Sequence, residues 1–253
     1  MRTYALTGGA TGIGAAIKAR LVNQGHRVIV VDLKDADITA NLATAEGRTA
    51  AIEGIKATAS EGLDGLITSA GVGSHMTDHR LIASVNYFGS VHVAEQLVDL
   101  VALKKGSIVL LSSNSAPMAT SERYVDLLLA GDEKNALDES ENISGHEAYS
   151  GSKKAIAKWV RRNAPAFARR GATINAIAPG YTETPMTKVV SEDPQYGESI
   201  KRFKETIPIG RAGEPADIAA LVDFLMGDES GFICGSVIFI DGGHDAMLRA
   251  DQF

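Results

Sequence analysis

The sequence is short of cysteine, of clustered positive charge and of long apolar runs, and each shortage excludes a class of protein. Cys234 is the only cysteine among 253 residues, so no internal disulfide can form and a reducing compartment is expected. Lys and Arg number 25 against 31 Asp and Glu, a formal charge of −6. With no Lys/Arg cluster, a nucleic-acid partner is not expected. No apolar run approaches the roughly 20 residues that cross a bilayer, so no membrane partner is expected either. The first strand pattern begins almost at Met1, which leaves no room for a secretory leader, and the expected location is cytoplasmic. His75, His79, His92, His146 and His244 show no ligand spacing with Cys, Asp or Glu, so no metal is expected. The single tryptophan, Trp159, reads as packing, and Cys234 as a small buried hydrophobe.

What is present begins at Thr7-Gly8-Gly9-Ala10-Thr11-Gly12-Ile13-Gly14. It follows the apolar run Tyr4-Ala5-Leu6 and opens a helical pattern with Ile13, Ala16, Ile17 and Leu21 on one face. A strand, a glycine turn and a helix N-terminus make a cradle for a nucleotide pyrophosphate. The next apolar run, Val28 to Val31, ends at Asp32, at about the distance where an acidic residue holds an adenosine ribose.

Strand and helix patterns then alternate. A short third strand is expected over Ala36–Ile38, and a helix capped by Thr44 runs to about Ala59. A strand over Gly65–Thr68 is followed by a long helix from Asp78 to Leu103, and Ile108–Leu111 forms a fifth strand. From Asn114 to Glu147 the pattern loosens into one short amphipathic helix around Tyr124, Leu127 and Leu128, followed by an acidic segment. A helix over Tyr149–Arg170, a strand over Thr173–Ala178 and a long connection to Ile207 follow, with a last helix opened by Pro215 and a last strand over Val237–Ile240. Apolar strands alternating with helices imply one α/β domain over 1–253, doubly wound, its seven strands forming a mostly parallel sheet with helices on both faces.

Tyr149 and Lys153 are four residues apart on one helix face, continued by Ile156 and Val160, so both polar groups are directed inward. An isolated pair of this kind is most simply a snorkelling pair at a core rim. Here Ser113 ends the fifth strand, at the sheet edge where the glycine cradle also opens. A free phenol titrates near pH 10, and an adjacent ammonium favours phenolate; a fall of about 2–3 pH units needs roughly 3–4 kcal/mol of differential interaction. The expectation is therefore a tyrosine whose pKa the lysine depresses.

Through Thr7–Gly14, Asp32, Ser69-Ala70-Gly71, Asn86, Ser113, Tyr149/Lys153, Pro179-Gly180 and Asp241-Gly242-Gly243, the chain resembles the short-chain dehydrogenase/reductase family over essentially its whole length. The resemblance implies that Tyr149 is the general acid/base, that Ser113 hydrogen-bonds the substrate oxygen, that Lys153 holds the nicotinamide ribose, and that Asn86 supports a water relay. It places Pro179, Gly180, Thr182 and Thr184 along a nicotinamide. The expected cofactor set is Gly8, Thr11, Gly12, Ile13, Gly14, Asp32, Leu33, Asn41, Leu42, Ala70, Gly71, Tyr149, Lys153, Pro179, Gly180, Thr182 and Thr184. Asp32 favours NAD by repelling the 2′-phosphate of NADP, although Lys34 lies close by.

The chain departs from the family in a shortened stretch after Asp32, in Asn41 where an aspartate is frequent, and in the long segment between Ser113 and Tyr149. With Thr44–Arg48, Val85–Gly89, Ala148–Lys153, Thr182–Pro185, Tyr196–Ser199, Asp245–Met247 and Phe253, these features are similar to the bacterial 3α-hydroxysteroid dehydrogenase/carbonyl reductase branch. That branch implies an alcohol/ketone pair on a bulky apolar cyclic substrate, first a 3α-hydroxysteroid. A cyclic monoterpenol or a general carbonyl compound is the alternative, and a non-catalytic NAD sensor a remote one. The insertion (about 114–147) admits two readings: a roof over the substrate, formed by Met118, Tyr124, Leu127, Leu128 and Leu129 with Met186, Val189 and Val190 of the later loop (about 181–207), or an excursion packed on its own apolar residues. Ser113, Met118, Met186 and Val190 are the expected substrate contacts. Bulk before the Tyr149 helix should hinder tetramer packing there, so a homodimer through the last helix and strand is expected.

Overall fold

Seven strands, most of them apolar on both faces, form one parallel sheet in the computed structural model, which describes residues 1–192 and 197–252. Two residues used for the branch resemblance, Tyr196 and Phe253, lie outside the described residues. The strands are β1 (Thr3–Thr7), β2 (Arg27–Asp32), β3 (Ile38–Thr39), β4 (Gly65–Thr68), β5 (Ser107–Leu111), β6 (Thr173–Pro179) and β7 (Val237–Ile240), in the order β3-β2-β1-β4-β5-β6-β7. Every pairing is parallel. β4 and β5 are buried throughout, as expected where helices cover both faces. The order reverses between β1 and β4, which opens a crevice at their carboxyl ends.

One face is covered by α1 (Gly12–Asn23) and α10 (Pro215–Met226), whose Ile17, Leu21, Ile218, Val222 and Leu225 meet Tyr4, Leu6, Ile67 and Val109. On the other lie α2 (Ala45–Thr58), α4 (Ser90–Ala102) and α7 (Gly145–Arg170), with Ile55, Leu97, Val101, Ile156 and Val160 against Ala5, Leu66, Ile108 and Ile174. The remaining helices are α3 (His79–Ile82), α5 (Glu122–Leu129), α6 (Glu133–Ser140), α8 (Pro185–Ser191), α9 (Gly197–Glu205) and α11 (His244–Leu248).

Several elements differ from the sequence expectation for identifiable reasons. Strand β3 starts at Ile38, because Asp35 takes a left-handed φ of 52° and the Asp37 carboxylate accepts from the Val30 amide. The turn consumes the residues expected to pair, and pairing begins at Val31 with Ile38. The long helix from Asp78 is broken by a π-helical turn over Ala83–Gly89 between α3 and α4. Helix α7 starts at Gly145, since Ser144 and Glu147 form a reciprocal capping box. The long connection after Pro179 carries α8 and α9. Cys234 is exposed, not buried: it precedes β7, the half-exposed edge strand. Trp159 is buried edge-on to Phe167, as packing requires.

The insertion divides between its two readings. Tyr124, Val125 and Leu128 of α5 are buried against α7 and the π turn. A side chain at Gly151 would meet Tyr124 Cδ1 at 2.7 Å, so glycine is what lets α5 lie this close to α7. The acidic segment forms α6, with Asp132 capping its start. Its carboxylates pair with Arg48, Arg80 and Arg123. Of the insertion's residues, Asn114, Ser115 and Met118 at its start and His146 at its end line the crevice, whereas Tyr124, Leu127, Leu128 and Leu129 do not.

Candidate active site

The carboxyl ends of β1, β4, β5 and β6 border one cavity of about 680 Å³. The glycine turn forms one end. Gly8 and Gly12 take φ of +75° and +55°, and a Cβ on Gly14 would lie 1.9 Å from the Gly8 carbonyl oxygen. The start of α1 therefore packs directly on the turn, as a pyrophosphate cradle needs. Thr11 and Ile13 complete this end of the lining.

Asp32 stands at the end of β2. One carboxylate oxygen accepts from the Ala10 amide at 2.9 Å and the other from the Leu33 amide at 2.7 Å. These bonds hold the carboxylate beside the glycine turn while it still faces the cavity. Leu33, Asn41 and Leu42 continue that wall; Ala70 and Gly71, after β4, lie beneath it. Pro179, Gly180, Thr182 and Thr184 close the far side, Thr184 also capping α8 by accepting from the Thr187 amide at 3.2 Å. A backbone cradle at one end and a carboxylate positioned for ribose hydroxyls fit a dinucleotide. Every residue expected to touch the cofactor lines this cavity.

Ser113, Tyr149 and Lys153 line it too. Ser113 follows β5, and its Oγ accepts from the Ser115 amide at 3.2 Å and the Ser115 hydroxyl at 3.0 Å. Two bonds fasten α7 to the end of β5: Lys153 Nζ donates to the Leu111 carbonyl at 2.8 Å, and the Ser112 hydroxyl donates to the Lys153 carbonyl at 2.9 Å. Lys153 Nζ lies 5.7 Å from the centre of the Tyr149 ring. Burial lowers the Lys153 ammonium to about 8. It also pushes the Tyr149 phenol above its ordinary value, opposed only by the Ser113 hydroxyl. The expected depression of the tyrosine pKa is thus reversed in the protein alone. Loss of water around the phenol outweighs an ammonium turned toward Leu111.

Asn86 lies in the π turn, fully buried. Its side-chain oxygen accepts from the Val72 amide at 2.8 Å and its nitrogen donates to the Val72 carbonyl at 3.0 Å. The side chain therefore braces the loop after Gly71 and does not line the cavity.

Of the expected substrate contacts, Ser113, Met118 and Met186 line the cavity, but Val190 does not, because it falls past the lining residues of α8. Ile200 and Phe203 of α9 take that place, with Leu81, Val85 and Tyr181. Their i, i+3 spacing was the available signal. Among the described residues no group of three or more His, Cys, Asp or Glu is arranged to hold a metal, and no helix is long and apolar enough to cross a membrane.

Comparison with known proteins agrees with this geometry. Residues 2–125 match the family described as short chain dehydrogenase, and residues 134–245 the one described as enoyl-(acyl carrier protein) reductase. Over 100% of both chains the sequence is 40% identical to 3-alpha-hydroxysteroid dehydrogenase/carbonyl reductase of Comamonas testosteroni. It is 31% identical to 2-(S)-hydroxypropyl-CoM dehydrogenase 3 of Xanthobacter autotrophicus, over 96% of each. The crystal structure of 3-alpha-hydroxysteroid dehydrogenase from Pseudomonas sp. B-0831, complexed with NADH, superposes with a TM-score of 0.94 at 40% identity, covering 99% of this chain and 100% of that one. With the fold, the Ser113/Tyr149/Lys153 site and a full-length relative in agreement, the chain belongs to the short-chain dehydrogenase/reductase family of alcohol dehydrogenases and ketone reductases.

Proposed function

We propose that the protein is an NAD-dependent dehydrogenase that interconverts a secondary alcohol and a ketone on a bulky, apolar, cyclic substrate, first a 3α-hydroxysteroid. The observation that carries the chemistry is the meeting of Ser113, Tyr149 and Lys153 on one wall of a cavity whose other end is the glycine turn. The Asp32 carboxylate supports NAD over NADP, since it would accept from ribose hydroxyls and repel a 2′-phosphate. The NADH held by the Pseudomonas relative supports the same choice. For the substrate, support comes from the apolar side chains Met118, Met186, Ile200 and Phe203 and from the 40% identity to the Comamonas enzyme.

Bound NAD(H) supplies or accepts the hydride. The chain's own residues handle the oxygen and its proton. Ser113 donates a hydrogen bond to the substrate oxygen and orients it toward Tyr149. In ketone reduction the Tyr149 hydroxyl gives its proton to that oxygen, a role suited to a phenol that burial keeps protonated at neutral pH. In alcohol oxidation the same atom must first lose its proton, and Lys153, anchored on Leu111, supplies the nearby positive charge that favours the loss. Asn86 acts at one remove, by holding the Val72 backbone. We read the assembly as a homodimer through α10 and β7, where Phe224 of α10 and Phe232 in the connection between the two elements are exposed; light scattering at twice the chain mass is expected, and a tetramer mass would contradict it.

Tyr149→Phe tests the chemical assignment. Removing a general acid/base should lower turnover by about 10²–10⁴-fold while NADH binding, followed by its fluorescence, persists. A variant with wild-type turnover would overturn the assignment.

A further inference from the structure

We propose that Arg48 and Glu133 are positioning residues for the adenosine half of the cofactor, and that through this pair the insertion sets cofactor affinity. The proposal rests on the assignment of NAD(H) to the cavity.

Leu42, with Asn41, forms the cavity wall next to Asp32. This wall has little strand support, because β3 is only two residues long and follows β2 with no helix between them. Helix α2 presses on it from one side, where a Cβ at Gly47 would lie 1.9 Å from the Asn41 carbonyl oxygen. The π turn presses from the other, where a Cβ at Gly89 would meet Leu42 Cβ at 3.2 Å. Asn41 is tied within its own turn, its side-chain oxygen accepting from the Ala43 amide at 3.0 Å and its carbonyl from the Thr44 amide at 3.2 Å; among the described residues, the side chain that bonds the Leu42 carbonyl is Arg48. Arg48, one turn into α2, donates from Nη1 to the Leu42 carbonyl at 3.4 Å and from Nη2 to both Glu133 oxygens, at 2.9 and 2.7 Å.

The Arg48 side chain is 5% exposed, and among the described residues Glu133 is its acidic partner. A buried guanidinium that loses its carboxylate is an uncompensated charge. Packing alone does not fix its direction, because Arg48 and Glu133 border a second cavity of about 530 Å³ with Phe88, Val91, Leu129 and Trp159. That space lets the head group turn away from Leu42 once Glu133 no longer holds it. Glu133 opens α6, 85 residues further along the chain. The insertion thus steadies a wall of the cavity that its own Met118 also lines.

The test compares wild type, Glu133→Gln and Arg48→Met with two probes, NADH and reduced nicotinamide mononucleotide, which lacks the adenosine. Binding is followed by fluorescence, with thermal melting alongside. Both variants should raise the Kd for NADH about tenfold, the scale of one lost charge-assisted hydrogen-bond network. The Kd for reduced nicotinamide mononucleotide, the KM for the alcohol and kcat at saturating NAD should stay at wild-type values. If Arg48→Met fails to fold, Glu133→Gln, at a partly exposed position, carries the test. A lowered melting temperature with unchanged NADH affinity would overturn the proposal, as would equal weakening of both probes. Wild type that binds no NADH would overturn the cofactor assignment itself, and this inference with it.

Discussion

Replacing Lys153 with methionine should stabilise the cofactor-free protein at neutral pH relative to alkaline pH, at the expense of catalysis. Lys153 is 5% exposed and burial holds its ammonium at about 8, whereas an unfolded chain restores the ordinary value of 10.5. A group whose folded pKa is lowered binds more protons in the unfolded state between those two values, so stability rises with pH across that window. Below pH 8 the cost is fully present, about 3 kcal/mol at pH 7, and it shrinks to about 1 kcal/mol at pH 9.5. Methionine keeps the methylene packing and removes the titration, but leaves the Leu111 carbonyl without its donor, a loss of about 1–3 kcal/mol that does not depend on pH. The informative quantity is therefore the stability difference between wild type and Lys153→Met, taken from urea denaturation at both pH values. Wild type should gain about 2 kcal/mol on the variant between pH 7 and pH 9.5. Parallel pH profiles would refute the claim that burial of this ammonium is what lowers its pKa.

Further outcomes follow from individual contacts. Asp32→Ala should lower the ratio of kcat/KM for NAD to that for NADP at least about tenfold, since hydrogen bonds to a charged group are worth about 1.5–3 kcal/mol; an unchanged ratio would contradict the ribose assignment. Tyr124→Phe should raise stability by about 1–2 kcal/mol in denaturant titration, because the buried Tyr124 hydroxyl has no hydrogen-bond partner among the described residues. A loss of stability there would mean that the hydroxyl is satisfied.

The cofactor end of the site is readable in the sequence because its chemistry is local. The glycine turn, Asp32 after four apolar residues, and Tyr149 four positions before Lys153 are each set by backbone geometry within one turn or one strand. The end of β5 is readable for the same reason, and with it the placement of Ser113. What was not readable depends on distant partners. Nothing in the pattern from Asp78 to Leu103 marks the π turn, which fits Asn86 to the Val72 backbone. Arg48 and Glu133 meet across 85 residues of sequence. Cys234 has an apolar neighbour on its N-terminal side, yet it lies at the open edge of the sheet. The tyrosine pKa goes the other way because the spacing directs both groups inward without showing how completely each loses water, and that loss outweighs the lysine's charge. Ile200 and Phe203 stand at the cavity instead of Val190 because the polar residues of the long connection conceal helix α9, whose i, i+3 face presents both side chains.

Oxidation of a bulky cyclic secondary alcohol with NAD is the proposed reaction of this site. It is tested most directly by NADH formation from purified protein with androsterone, isopiperitenol, borneol and simple cyclohexanols, each offered with NAD and with NADP. Turnover on androsterone with NAD is expected, lowered about 10²–10⁴-fold in Tyr149→Phe. Silence across the panel while NADH still binds would contradict it, and would leave a nucleotide-binding protein that does not catalyse this reaction.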